Sequence, residues 1–152
     1  MTLYELFVAL HVFFAIAWVG GATYDLFIGK RAFAQGGAET RQWLTGFWEW
    51  IGTHYFIPVS LGTVITGIAA VIEGPWSFSE PFVSIGLGVF ILLLINGLAF
   101  LEPQAKKIAA EVEEFGVESP QVTNRVSRVL NVSIFEVGIL YALVFVMVVK
   151  PF

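Results

Sequence analysis

Seven of the eight Lys and Arg residues of this chain fall in two short hydrophilic stretches, and most of the remaining sequence is apolar. The first stretch carries Lys30, Arg31 and Arg41, and the second carries Lys106, Lys107, Arg125 and Arg128. Loops rich in Lys and Arg stay on the cytoplasmic side of a membrane. Two such loops, each with an apolar run before it and after it, predict four crossings with both chain termini facing outward.

The composition agrees with a chain that lies in lipid. Of its 152 residues, 57% are hydrophobic and only 13% are charged, which is more apolar surface than a soluble domain of this length can cover. We therefore predict an all-α integral membrane protein, with one transmembrane domain over residues 1–152 and the lipid bilayer as its surroundings. The net charge of −4 argues against a nucleic-acid partner, and the absence of Cys excludes thiolate ligands.

Each apolar run is long enough for a helix that crosses the hydrocarbon core, which takes about 20 residues. The predicted transmembrane helices cover about 3–28, 51–72, 82–101 and 129–149. Pro58 lies within the second and is expected to kink it. Residues 102–114 keep helical spacing, and Ser119-Pro120 is typical of an N-cap followed by a first helical residue. Helices three and four are therefore predicted to extend into a cytoplasmic hairpin.

A few polar side chains interrupt the apolar runs, and each is a candidate site because an ionisable group in hydrocarbon is costly. They are His11, Asp25, His54, Asn96 and Glu136. A carboxylate as deep as Glu136 is either protonated or paired. Asp25, His54 and Glu136 together predict a hard-metal or proton site, since carboxylate and imidazole suit Zn, Mn or Fe. The alternative is a hydrogen-bonded polar group that fixes helix packing.

His11 is the candidate for a cofactor ligand. A rise of about 1.5 Å per residue places it roughly 10 Å below the outer surface. Trp18 continues its helix face, and Gly20 and Gly21 flank that face, where they permit the close approach of a helix or a flat ligand. An imidazole beside small residues and an aromatic ring suits an axial ligand of haem iron. The alternative is a histidine that is hydrogen-bonded to a neighbouring helix and binds nothing.

The second histidine, His54, lies near the cytoplasmic end of helix two. It is either a second ligand or proton relay, or an interfacial histidine without such a role. Its depth differs from that of His11 by roughly 15–20 Å, which disfavours one haem held between the two. The sequence thus favours a haem on His11 with no histidine on its other face.

The first helix also carries a resemblance to a known family. The run LHVFFAIAWVGG at residues 10–21 resembles the first helix of small bacterial membrane proteins grouped around the CopD-type copper-resistance domain and the HemJ-type protoporphyrinogen oxidase. In those proteins a histidine recurs at this spacing from Trp-x-Gly. Thr66-Gly67, residues 100–103 and residues 147–151 are similar to a small four-helix branch of the same group.

The resemblance implies a place in the bacterial inner (plasma) membrane and haem b on His11, with Trp18 and Gly21 as the surface that packs on the ring. HemJ-type enzymes also use a lysine within a later helix, and helix three of this chain has none inside the membrane. The CopD-type branch implies copper handling, but two Met and no Cys leave few soft ligands for Cu(I).

Three functions follow from the sequence. The first is a haem-b-binding membrane protein in electron transfer or porphyrin redox chemistry. The second is a non-catalytic accessory subunit that packs against a larger membrane complex; a homo-oligomer is the other assembly that the sequence leaves open. The third is a metal-ion or proton permeation protein that uses Asp25, His54 and Glu136. The chain has no Gly-rich phosphate loop, GxSxG or HExxH motif, so no catalytic residue is predicted.

Overall fold

The computed structural model describes residues 1–151, and that part of the chain is helical throughout except for short turns. Its elements are α1 (Leu3–Gln35), α2 (Ala38–Ile51), a first π segment (Gly52–Phe56), α3 (Ile57–Glu73), α4 (Pro81–Asn96), a second π segment (Gly97–Leu101), α5 (Glu102–Phe115) and α6 (Pro120–Val149). They join into four long apolar helices: Leu3–Gln35, Ala38–Glu73, Pro81–Phe115 and Pro120–Val149. Four such helices indicate a multi-pass membrane protein.

The first helix is longer than the sequence predicts. Thr2 and Glu5 form a capping box at its start, and the helix continues past residue 28 to end at Gln35. Gly29 does not terminate it, because this residue lies at a helix crossing. A Cβ atom on Gly29 would lie 2.8 Å from both the Trp48 ring and the Leu130 side chain. The glycine therefore permits close packing rather than a turn, and sequence spacing alone does not separate these two roles.

Each of the two middle helices contains a π segment, and each segment ends two residues before a proline. The first runs from Gly52 to Phe56 ahead of Pro58, and the second runs from Gly97 to Leu101 ahead of Pro103. A proline removes one backbone donor, and its ring crowds the carbonyl four residues earlier. In the π segment the backbone hydrogen bonds join residues five apart instead of four. A π segment thus precedes Pro58, where the sequence predicts a kink, and a second π segment precedes Pro103.

The bundle is closed at the end that carries the basic stretches, here called the basic end. There α5 packs against α2 and α6, and the last turns of α1 join them. The buried side chains of this cluster are Ala32, Leu44, Trp48, Ile108, Val112, Val117, Val122 and Val126. Ile108 and Val122 are completely buried. This end therefore contains the larger of the two buried apolar clusters of the described chain.

The opposite end of the bundle is more open. There α1 packs along α3, and α6 packs against both α1 and α4, whereas α3 and α4 have little contact with one another. The remaining buried cluster is small and consists of Trp18, Leu93 and Leu140. The outer surface of the helices is apolar, and Phe135, for example, is 74% exposed. Such a surface is suited to lipid rather than water.

A polar contact joins the two helices of the hairpin, α5 and α6, in their hydrophilic part. The Arg125 Nε donates to Glu111 Oε2 at 2.8 Å, and the Arg125 Nη1 donates to Gln104 Oε1 at 2.8 Å. The hydrogen bond from Arg125 lowers the pKa of the Glu111 carboxyl below its usual value. Gly116, with a φ of 81°, makes the turn that brings the two helices together.

Replacing Arg125 by Gln is expected to loosen this hairpin by about 0.5–1 kcal/mol, because the pair is only half-buried. Since the folded-state pKa of Glu111 is lowered, the pair contributes above the usual pKa of a Glu, and the contribution disappears as the pH falls through the lowered value. Hydrogen exchange of residues 102–115 measures this. Equal exchange in Arg125→Gln and wild type at neutral pH would contradict it.

Candidate functional site

A cleft of about 560 Å³ opens at the end of the bundle opposite the basic end. Its walls come from α1, α3, α4 and α6, and the turn at residues 74–80 covers part of its far end. α3 and α4 both line it and have little contact with one another. The volume lies within the range of about 300–1,000 Å³ that is typical of small-molecule sites. We call this space the large cleft.

His11 is the main polar group in the wall of the large cleft. Its Nδ1 lies 2.8 Å from the backbone oxygen of Thr63 on α3. Because a carbonyl oxygen only accepts, Nδ1 carries the hydrogen, and the neutral ring then has its lone pair on Nε2. Gly67 makes the contact possible, since a Cβ atom there would lie 2.8 Å from Nδ1. Within residues 1–151, Nε2 has no hydrogen-bond partner.

Trp18 forms the floor of the large cleft, together with Phe90. Their rings meet edge to face with centroids 6.1 Å apart, and Trp18 is buried among Leu93 and Leu140. Trp18 and Phe90 also line a second, smaller cavity of about 160 Å³ nearer the basic end. This layer of apolar side chains therefore separates the large cleft from the small cavity.

The small cavity contains the two membrane carboxylates that the sequence singled out. Asp25 Oδ1 accepts a hydrogen bond from the Trp48 indole at 2.9 Å, and Glu136 Oε2 accepts one from the Asn96 amide at 3.4 Å. Both carboxylates line the cavity. Among the described residues, however, no three His, Cys, Asp or Glu side chains are grouped so that they could hold a metal ion. The arrangement resembles the hydrogen-bonded packing group that was the alternative for these residues.

His54 lies away from the other candidates. It is exposed on the first π segment, and its Nδ1 lies 2.9 Å from the backbone oxygen of Trp50. Its ring stacks on the Trp50 ring with centroids 4.9 Å apart. It contributes to the wall of neither the large cleft nor the small cavity. The structure therefore groups His54 neither with His11 nor with Asp25 and Glu136.

The two flanking glycines of helix one have different surroundings. Gly21 packs against Tyr55, and a Cβ atom on it would lie 2.6 Å from that ring. The Tyr55 hydroxyl donates to the Ala17 carbonyl at 2.8 Å, so Gly21 lies at the contact of α1 with the first π segment. Gly20, in contrast, lines the large cleft and has open space around it. Of the two residues predicted to pack on a ring, Trp18 lies in the wall of the large cleft and Gly21 does not. Gly20 lies in the wall instead.

Sequence reasoning missed the far end of the large cleft, which we call the mouth and define as Tyr4, Trp76, Phe82 and Lys150. The Lys150 ammonium lies 3.8 Å from the centroid of the Trp76 ring and 4.8 Å from that of Phe82. The Trp76 indole donates to the Tyr4 hydroxyl at 3.1 Å. These residues come from three distant parts of the chain, and no local pattern connects them.

Comparison of the chain with protein-family models, curated proteins and solved structures finds no match. The class of the protein therefore rests on its own fold, a multi-pass bundle of four apolar helices. Its most distinctive chemical feature is one histidine held by a backbone carbonyl at the edge of a large apolar cleft.

Replacing Gly67 by Ala is expected to displace the His11 ring, because the new methyl group would overlap it. Overpacking of this kind costs about 1–3 kcal/mol, so the thermal unfolding midpoint in detergent should fall. Gly20→Ala is the matched control, since it adds the same methyl group to the cleft wall where nothing lies within 4 Å. If the two variants unfolded at the same temperature, the close contact between Gly67 and His11 would be refuted.

Proposed function

We propose that this protein binds haem b in the large cleft, with His11 as axial ligand, and acts in electron transfer or porphyrin redox chemistry. The observation that carries the proposal is the hydrogen bond from His11 Nδ1 to the Thr63 carbonyl. Histidines that ligate a metal nearly always donate their other ring N–H to such an acceptor, which fixes the tautomer and makes the ligating nitrogen more basic. Here Nε2 is the nitrogen left for iron.

The walls of the large cleft support a flat apolar ligand. Trp18 and Phe90 offer aromatic surface at its floor, and small residues such as Gly20 and Gly86 lie along its sides. Few polar groups lie in the wall, so the cleft offers little to bind water and suits an apolar ring. The volume of about 560 Å³ suits a single ligand of cofactor size.

The chain provides one imidazole for such a ligand. It has only two histidines, and His54 lies outside the cleft. Haem supplies one-electron chemistry when bound, and the protein acts on it through burial and through the Thr63 carbonyl, which sets the basicity of His11. The apolar layer of Trp18 and Phe90 keeps the cleft apart from the carboxylates of the small cavity.

An optical spectrum tests this proposal. Wild-type protein expressed with adequate haem supply should show a Soret band and a reduced-minus-oxidised difference spectrum of haem b. His11→Ala should abolish the band, because it removes the only imidazole in the cleft. His54→Ala is the matched control and should retain most of it, since this ring lies on the surface. The absence of a Soret band in wild type, or its persistence in His11→Ala, would reject the proposal.

The proposal includes an orientation in the bacterial inner membrane. The basic end would face the cytoplasm, because loops rich in Lys and Arg are retained there, and the large cleft and both chain termini would face outward. The four helices, and the placement of seven of the eight Lys and Arg residues at the basic end, support this.

Topology reporters fused after residue 36 and after residue 117 measure the orientation. Both fusions should report a cytoplasmic location, because each site lies at the basic end. A fusion after residue 78, in the turn at the opposite end, should report the outer side. Activity of a periplasmic reporter at residue 36 or 117 would overturn the orientation without bearing on haem binding.

A further inference from the structure

The mouth of the large cleft is built by parts of the chain that meet only in the folded protein. Tyr4 belongs to the first turns of α1, Trp76 to the turn after α3, and Lys150 follows the last residue of α6. The Trp76 ring is held between two of them, since it donates to the Tyr4 hydroxyl and lies under the Lys150 ammonium. All three residues line the cleft. The ammonium is thus positioned at the end of an apolar space.

The charge in the cleft has one sign. Among the described residues of its wall, Lys150 is the charged side chain, and there is no Asp or Glu. A lysine ammonium has three hydrogen-bond donors, and its contacts with the Trp76 and Phe82 rings use none of them for an oxygen acceptor. The cleft therefore complements a ligand that is apolar over most of its surface and anionic at one end.

The backbone of Lys150 is unusual as well. Its φ of 47° is the one positive value at a non-glycine residue within residues 1–151. A left-handed residue at the end of a helix is usually glycine, and other residues adopt this conformation uncommonly. Such a conformation persists where the surrounding structure determines it, and it often accompanies a functional side chain. Here it ends α6 and accompanies an ammonium placed over the Trp76 ring.

We propose that the mouth binds the carboxylate edge of a tetrapyrrole whose ring lies in the large cleft, and that Lys150 is the residue that recognises this edge. The inference rests on the proposed function, because His11 lies in the same cleft. Tyr4 and His11 are seven positions apart on α1, which is about 10 Å along the helix. The cleft thus presents an imidazole and a cation at separate depths, as a ring with a central metal and acidic substituents at one edge requires.

The test compares ligands that differ only in their acidic groups. Metal-free protoporphyrin and its dimethyl ester are titrated into the purified full chain in nanodiscs of neutral lipid, with quenching of tryptophan fluorescence as the readout. Haem b and its dimethyl ester are titrated in the same way, with the Soret band as the readout. The metal-free pair does not depend on ligation by His11, so it reports on the mouth alone.

The variants separate charge from backbone. Lys150→Asn removes the ammonium but keeps a residue that tolerates the left-handed conformation, and Lys150→Arg keeps the charge. We expect Lys150→Asn to weaken binding of the diacids about tenfold or more, as loss of a charged hydrogen bond does. The affinity of Lys150→Asn for the diesters should equal that of wild type. The affinity of Lys150→Arg for the diacids should be within a few-fold of the wild-type value. Lys107→Asn, in the exposed hairpin, is the control and should change neither.

Each outcome bears on the proposal. Equal diacid affinity in Lys150→Asn and wild type would overturn it, as would an equal loss for diacids and diesters, which indicates a packing role. Competition by anionic phospholipid with no dependence of porphyrin binding on Lys150 would assign the mouth to a lipid headgroup and also overturn it. A charge-dependent preference for metal-free diacid without a Soret band would support the mouth while rejecting His11 as a haem ligand. A Soret band that depends on His11, together with diacid binding that does not depend on Lys150, would reject the role of the mouth and leave haem binding intact.

Discussion

The constraint on which the rest of this structure depends is that backbone polar groups in hydrocarbon must be satisfied within the chain. It makes helices of all four apolar runs and allows an interruption only where the neighbouring structure compensates. Pro58 and Pro103 each remove a donor, and in each case a π segment precedes the proline and carries the chain onward as helix. Both middle helices therefore continue through the interruption without a break.

The two ends of the bundle differ in how their helices pack. Beyond the π segments, α2 and α5 approach one another and close the basic end around Ile108 and Val122. At the opposite end α3 and α4 have little contact, and both line the large cleft. The helices of this small bundle are therefore held together mainly at the basic end, and the cleft lies at the other end.

Polar groups within the helices fall into two separate chemical environments. Asp25 and Glu136 each accept a hydrogen bond from a neutral donor and line the small cavity, whereas the Nδ1–H of His11 donates to a carbonyl and the residue lines the large cleft. Trp18 and Phe90 separate the two spaces. A ligand in the cleft would therefore be isolated from the carboxylates, and its properties would depend on His11, the aromatic floor and the cation at the mouth.

The sequence by itself determined the class of fold, because apolar length and the positions of Lys and Arg act locally and need no knowledge of packing. It also singled out His11 and Trp18, since a polar or aromatic residue at helical spacing in an apolar run is visible without a structure. Only the tertiary structure decided which residues share a space. It places His54 and Gly21 outside the wall of the large cleft and Gly20 within it. It also places Lys150 beside Trp76, which is hydrogen-bonded to Tyr4. The physical reason is that helix rotation and crossing depend on contacts such as Gly67 against His11, which join residues far apart in the chain.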